Sequence, residues 1–195
     1  MKEKNLYIIA GCNGAGKTTA SYTILPEIIK CKEFVNADEI AKELSPFQPE
    51  TVSFEAGRIM INRINELLDN NESFAFETTL ATKSYKNKII KAKKQGYTVI
   101  LLFFWLNNIE LAKERVKIRV KEGGHNIPEP IIERRYLKGI FNLFNIYLSI
   151  VNGVLIFDNS YGKHELIAHK MGIDYLEVID LEKFEQLKNI YDSKR

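Results

Sequence analysis

Asn5-Leu6-Tyr7-Ile8-Ile9-Ala10-Gly11-Cys12-Asn13-Gly14-Ala15-Gly16-Lys17-Thr18 decides how this 195-residue chain is read. Its first half is a short apolar run, which predicts a buried strand over Asn5–Ala10. Its second half, Gly11 to Thr18, matches G-x-x-x-x-G-K-[ST] without a mismatch, and a helical pattern begins at Lys17. Glycines permit the tight, partly left-handed backbone that turns several N–H groups toward one point. Those groups and the helix N-terminus behind them favour an anion. Lys17 is placed to bridge terminal phosphates, and the Thr18 hydroxyl to coordinate Mg²⁺. The candidate nucleotide-binding residues are therefore Gly11, Cys12, Asn13, Gly14, Ala15, Gly16, Lys17, Thr18 and Thr19, with Thr18 the candidate metal ligand. A redox role for Cys12 is conceivable, since a helix N-terminus lowers a thiol pKa. The favoured reading is a small side chain whose backbone matters.

Working outward, short apolar runs alternate with helical patterns. Phe34–Asn36, Ser73–Glu77, Tyr97–Leu106 and Val154–Asp158 read as strands. Lys17–Leu25, Glu50–Asn71, Ser84–Gln95, Asn107–Glu122 and Pro128–Val151 read as helices, the first ending before Pro26 because proline disfavours the α conformation in the residue before it. In Glu50–Asn71 the stripe is Ala56, Met60, Ile64, Leu67 and Leu68. Lys163–Asp180 is expected to hold two strands, followed by a closing helix. This alternation predicts an α/β fold with a parallel sheet covered by helices. The uninterrupted run Val99–Leu106 suits a strand buried on both faces. Ligands then belong at the carboxyl ends of the strands. With no repeat or linker, one domain over 1–195 is the simplest reading.

Composition removes other classes. Hydrophobic residues make up 45% and charged residues 27%, which excludes a disordered chain or a fibre. A net charge of +3 is too small to argue for nucleic acid on bulk charge. Two cysteines, Cys12 and Cys31, cannot build a disulfide scaffold or a four-ligand zinc site, so a reducing, cytoplasmic compartment is expected. The longest apolar run is far below the roughly 20 residues of a spanning helix.

A phosphate loop identifies a ligand class, not a reaction. No Asn-Lys-x-Asp guanine selector is present, since Asn87-Lys88-Ile89-Ile90 lacks the acid, and no Leu-Ser-Gly-Gly-Gln-like signature is found. A small phosphotransferase needs an acceptor-activating carboxylate, metal support and cations over the transferred group. Asp38, just past a short strand, is either that carboxylate or a helix N-cap for Ile40–Leu44. Glu77, leading into Thr78 and Thr79, and Asp158 both end apolar strands, and pattern does not choose the metal-supporting acid between them. Glu55 and Arg58 share a helix face, as an ion pair or with Glu55 as a substrate-positioning acid. Arg115 and Arg119 are four apart on one helix, and Arg134 and Arg135 lie on the next. The sharp stop Glu122-Gly123-Gly124-His125-Asn126-Ile127-Pro128 joins the two helices, which together look like a lid swinging cations onto a phosphate. His125 alone reads as a turn residue. Lys83, Lys86, Lys88, Lys91, Lys93 and Lys94 read as a solvated face, and Phe141, Phe144 and Tyr147 as core.

Taken together, GCNGAGKTT (11–19), FVNADEIAKELSP (34–46), FAFETTLAT (74–82), RVKIRVKEGGHNIPEPIIERRY (115–136) and FDNS (157–160) resemble the zeta-toxin-like P-loop kinases, in particular their small single-domain branch. The resemblance covers about Leu6 to about Ser160. It implies a three-layer P-loop NTPase fold of nucleoside/shikimate-kinase type, with a parallel central sheet, helices on both faces and a helical lid near 115–138. It implies ATP and Mg²⁺, transfer of the γ-phosphate to a sugar hydroxyl of UDP-N-acetylglucosamine or a related UDP-sugar, and a small antitoxin partner that blocks the nucleotide site. Asp38 falls on the catalytic base and Lys17 on the phosphate-loop lysine. Glu55 falls near a substrate-binding acid, and Glu77 and Thr79 on the acid and threonine after the third strand. Arg119, with Arg115 or Arg134/Arg135, falls among the lid cations. Larger family members carry an arginine shortly after that threonine, where this chain has Ala81. Rival readings are an ATPase or switch without acceptor, a non-enzymatic nucleotide-binding protein, and a kinase for polynucleotide 5′ ends.

Overall fold

The computed structural model describes residues 3–124, 126–172 and 175–193. They build a seven-stranded sheet of order β2-β3-β1-β4-β5-β6-β7. The strands are β1 (Asn5–Gly11), β2 (Phe34–Val35), β3 (Phe74–Thr78), β4 (Thr98–Trp105), β5 (Gly153–Asp158), β6 (Glu165–Met171) and β7 (Glu177–Val178). β1 to β5 pair in parallel, as the alternating pattern predicts. The two tail strands are present and extend the sheet antiparallel, so it is mostly rather than wholly parallel. A short β5–β6 connection permits this, whereas a parallel return needs a long crossover. β1 and β4 lie centrally and carry the most apolar sequence, consistent with a sheet covered on both faces.

The helices are α1 (Lys17–Thr23), α2 (Ala37–Leu44), α3 (Ser53–Asp69), α4 (Tyr85–Lys94), α5 (Ile109–Lys121), α6 (Glu129–Asn142), α7 (Leu148–Ile150) and α8 (Leu181–Asp192). The buried residues of α3 are those of the predicted stripe. Pro26 does not end the first helix. The chain widens into a π-helical turn over Ile24–Ile28, in which the Ile29 N–H reaches the Ile24 carbonyl at 3.0 Å. The wider turn relieves the crowding between a proline ring and the turn before it. A second π turn, Leu143–Tyr147, divides the expected helix Pro128–Val151 into α6 and α7. The aromatics there are packed, as expected of core. Phe144 meets Phe184 and Tyr191 of α8, and the Tyr147 hydroxyl donates to the Thr82 carbonyl at 2.7 Å.

The loop after β3 is held firmly. Buried Leu80 takes a left-handed φ of 59°, its N–H donating to Thr78 Oγ1 (3.0 Å) and its carbonyl accepting from Asn142 Nδ2 (2.8 Å). Such a conformation is costly for leucine and persists where its surroundings fix it. It sets Thr78 and Thr79 at the carboxyl edge of the sheet. Three lysines of α4 are tied down: Lys88 to Asn65, Lys91 to Asp69 and Lys93 to the Ile150 carbonyl. No described helix is long and apolar enough to cross a membrane.

Candidate active site

β1 delivers the phosphate loop to the carboxyl end of the sheet. Gly11 has φ of 145°, and a Cβ there would lie 2.2 Å from the Phe104 carbonyl oxygen on β4, so only glycine lets the chain leave the sheet here. Gly16 caps α1 with a left-handed φ of 77°. Lys17 is buried. Its Nζ donates to the Cys12 carbonyl at 2.9 Å and lies 3.3 Å from Glu77 Oε1. The other Glu77 oxygen accepts from Thr18 Oγ1 at 2.8 Å and from Asn36 Nδ2 at 3.0 Å. The β1–β3 register, with Ile9 opposite Glu77 and Ala10 opposite Thr78, brings this carboxylate beside the loop.

Asp158 does not share that place. It is buried, with Oδ1 accepting from the Ser160 N–H (2.9 Å) and the Ser160 hydroxyl, and Oδ2 lies 3.5 Å from Lys183 Nζ. It closes the turn after β5 and ties that turn to α8. Of the two strand-ending acids, Glu77 is the one in contact with the loop.

The two readings of Asp38 separate cleanly. The N-cap of α2 is Asn36, whose Oδ1 accepts from the Asp38 N–H at 2.8 Å. The Asp38 carboxylate is therefore not used as a cap. It is exposed and lines a cavity of about 640 Å³ together with Lys17, Glu77, Thr78, Thr79 and Arg135.

The arginines divide. Arg135 on α6 donates to Asn13 Oδ1 at 3.0 Å. Burial pushes its pKa down, opposed by the nearby Asp38 carboxylate. Arg115 on α5 grips the loop from its other side, donating to the Gly14 carbonyl (3.4 Å) and to the Ser160 carbonyl (2.9 Å). Arg119 lines a second cavity, of about 440 Å³, that also reaches Asp38 and includes Gly123 and Gly124. Arg134 is exposed and lines neither cavity. Glu55 is likewise exposed and lines neither, and among the described residues no ion pair joins it to Arg58. Arg58 lines the larger cavity, with Phe54 one turn earlier on the same face. Thr19 is exposed, and His125 lies outside the described residues. Sequence reasoning missed Asn36, Phe54 and Asn159, and gave Arg58 only as a partner of Glu55. An Asn two residues before an acid at a helix start is an N-cap signal that would have found Asn36.

The surroundings of Cys12 favour a small packed side chain over a redox role. Its side chain is buried, and burial pushes the thiol up to about 11 against the pull of Lys17. A raised pKa keeps the native thiol protonated until the pH approaches that value. Alkylation of the native protein at pH 8 should therefore be at least about tenfold slower at Cys12 than in denaturant, as peptide mass mapping will show.

Residues 1–161 match the family model described as Zeta toxin. An uncharacterized protein of Haemophilus influenzae (strain ATCC 51907 / DSM 11121 / KW20 / Rd) is 31% identical over 136 residues, which is 70% of this chain and 94% of that protein. The crystal structure of AvrRxo1-ORF1 with AvrRxo1-ORF2 and ATP superposes with a TM-score of 0.76 at 18% identity, over 95% of this chain. This chain spans only 63% of that one. A structure from the PezAT chromosomal toxin–antitoxin system of Streptococcus pneumoniae superposes with a TM-score of 0.65 at 14% identity, over 99% of this chain and 88% of that one. These likenesses show a P-loop kinase fold. With the phosphate loop, the carboxylate beside it and a family match that runs from β1 past β5, the chain belongs to the Zeta toxin family.

Proposed function

We propose that the protein is an ATP- and Mg²⁺-dependent small-molecule kinase that moves the γ-phosphate of ATP to a hydroxyl of a metabolite. The observation that carries this reading is the single cavity shared by Lys17, Glu77 and an Asp38 carboxylate left free of helix capping by Asn36. The chain works as one kinase domain, 1–195, in the cytoplasm.

In this reading the loop N–H groups and Lys17 hold the triphosphate. Asp38 accepts the proton of the acceptor hydroxyl as that oxygen attacks the γ-phosphorus, and ADP leaves on the far side. Arg135 stabilises the charge of the group in flight from its position beside Asn13 and Asp38. Arg119 does so from the second cavity as the lid, 115–138, closes. The Thr18 hydroxyl donates its hydrogen bond to Glu77, so its lone pairs remain available to a cation. These hard oxygen groups fit Mg²⁺, which takes one or two protein ligands and otherwise phosphates and waters. A Mg²⁺ ion held through the Thr18 hydroxyl would supply neutralisation of phosphate charge.

The acceptor is proposed to be a UDP-sugar, UDP-N-acetylglucosamine first. Phe54, Met60, Ile61 and Tyr85 give the cavity an apolar wall suited to a ring, and Arg58 offers a cation to an anionic group. A small antitoxin protein is the proposed partner; AvrRxo1-ORF1 is seen in complex with AvrRxo1-ORF2, and PezAT is a toxin–antitoxin system. The test is mass spectrometry of a metabolite extract incubated with protein and Mg-ATP, with pure UDP-sugars alongside. The expected result is one species heavier by one phosphate. Hydrolysis of ATP that no metabolite accelerates favours the ATPase reading, and tight nucleotide binding with no turnover favours the non-enzymatic one.

A further inference from the structure

The segment Asp158-Asn159-Ser160 lies behind the phosphate loop, away from the acceptor cavity, and Asn159 has no part in the chemistry above. Its side chain is buried, and Nδ2 donates to the Ala15 carbonyl at 2.7 Å. The fit is close. A Cβ on Gly16 would lie 2.4 Å from that same nitrogen, so the missing side chain of Gly16 is the space that Asn159 fills. Asn159 is itself pinned, its N–H donating to the Trp105 carbonyl at the end of β4 at 2.9 Å. Its neighbour Ser160 accepts the Asn107 N–H on its hydroxyl (2.9 Å) and Arg115 on its carbonyl (2.9 Å). Arg115 in turn reaches the Gly14 carbonyl. Two consecutive loop carbonyls, Gly14 and Ala15, are thus held from outside by side chains anchored on the strand ends and on α5.

A peptide unit is planar and trans, so its C=O and N–H point in opposite directions. Fixing the Ala15 carbonyl toward Asn159 turns the Gly16 N–H the other way, toward the concave side of the loop. The Ala15 N–H itself donates to the Cys12 carbonyl at 3.2 Å, so Arg115 on the Gly14 carbonyl steadies this turn of the loop rather than presenting that amide. We infer that Asn159, assisted by Arg115, is a positioning residue that presets the loop, the Gly16 amide above all, for a phosphate. Arg115 then acts on the loop rather than as a cation over the transferred group. The inference rests on the proposed nucleotide-binding function and goes beyond it.

An aspartate at 159 keeps shape but, when ionised, offers the Ala15 carbonyl only oxygen lone pairs, which drive that peptide to turn. Protonated, it can donate again. Titration calorimetry with Mg-ATP should therefore show Asn159→Asp binding about tenfold or more weaker than wild type at pH 8, the loss of one buried hydrogen bond or slightly more. Relative to wild type at the same pH, the deficit should shrink severalfold toward pH 5. Asn159→Ala, which serves if the aspartate variant does not fold, should raise KM for ATP about tenfold and leave kcat within about twofold. Variants that bind Mg-ATP as wild type does, or that lower kcat and leave KM alone, overturn the inference. A wild-type protein that binds no Mg-ATP overturns the nucleotide reading itself, and the brace with it.

Discussion

Asp38→Asn should lower phosphoryl transfer by about 10²–10⁴-fold while ATP affinity stays within about twofold of wild type. The amide keeps the size of the side chain and removes its ability to accept a proton together with the negative charge beside Arg135. Nothing in the local fold should suffer, because α2 is capped by Asn36 and the Asp38 N–H that meets the cap is backbone. Arg135 keeps its hydrogen bond to Asn13. A coupled assay for ADP, with calorimetry for binding, separates the two quantities. Transfer at the wild-type rate would take the proton-accepting role away from Asp38.

Lys17→Ala should act twice. It removes the cation proposed to bridge the terminal phosphates, so ATP binding should weaken and transfer should fall about 10³-fold. It also leaves Glu77 as a buried carboxylate without its counter-charge, 3.3 Å away in the intact protein. Breaking a buried ion pair from one side costs about 3 kcal/mol, which for a chain of this size lowers the Tm by roughly 6–12 °C. Adding Glu77→Gln removes the lone charge and should recover much of the Tm but none of the activity. Calorimetric scans and the same ADP assay read the two effects. Recovery of activity in the double variant would contradict the phosphate-bridging role.

The fold was legible where one local rule dominated. The Gly11–Thr18 loop is so constrained by its glycines and by the strand and helix beside it that sequence placed it directly. Val99–Leu106 announced a buried central strand, and the stripe from Ala56 to Leu68 a helix lying on the sheet. Where two local rules competed, the outcome depended on tertiary space. Pro26 forbids a regular α turn but not a wider one, and the chain took the wider one. The site was less legible, because side chains meet there across long sequence separations. Nothing in the pattern of either strand end says that Glu77 touches Lys17 while Asp158 bonds to Ser160. That choice follows from β1 lying between β3 and β4 in the sheet. Glu55 and Arg58 share a helix face in sequence, yet in the fold Arg58 lines the cavity and Glu55 does not. Asn159 gave no signal by itself, since its partner carbonyl lies 144 positions away.

The outermost strands, Phe34–Val35 and Glu177–Val178, are only two residues each. A sheet whose middle is built from so greasy a segment as 99–106 would, with a long bare border, invite a neighbour's chain to dock along it and seed fibrous growth. Keeping each border strand to two residues shortens the ladder that strand can offer a neighbour, which lowers the tendency of so apolar a sheet to recruit a second chain edge to edge.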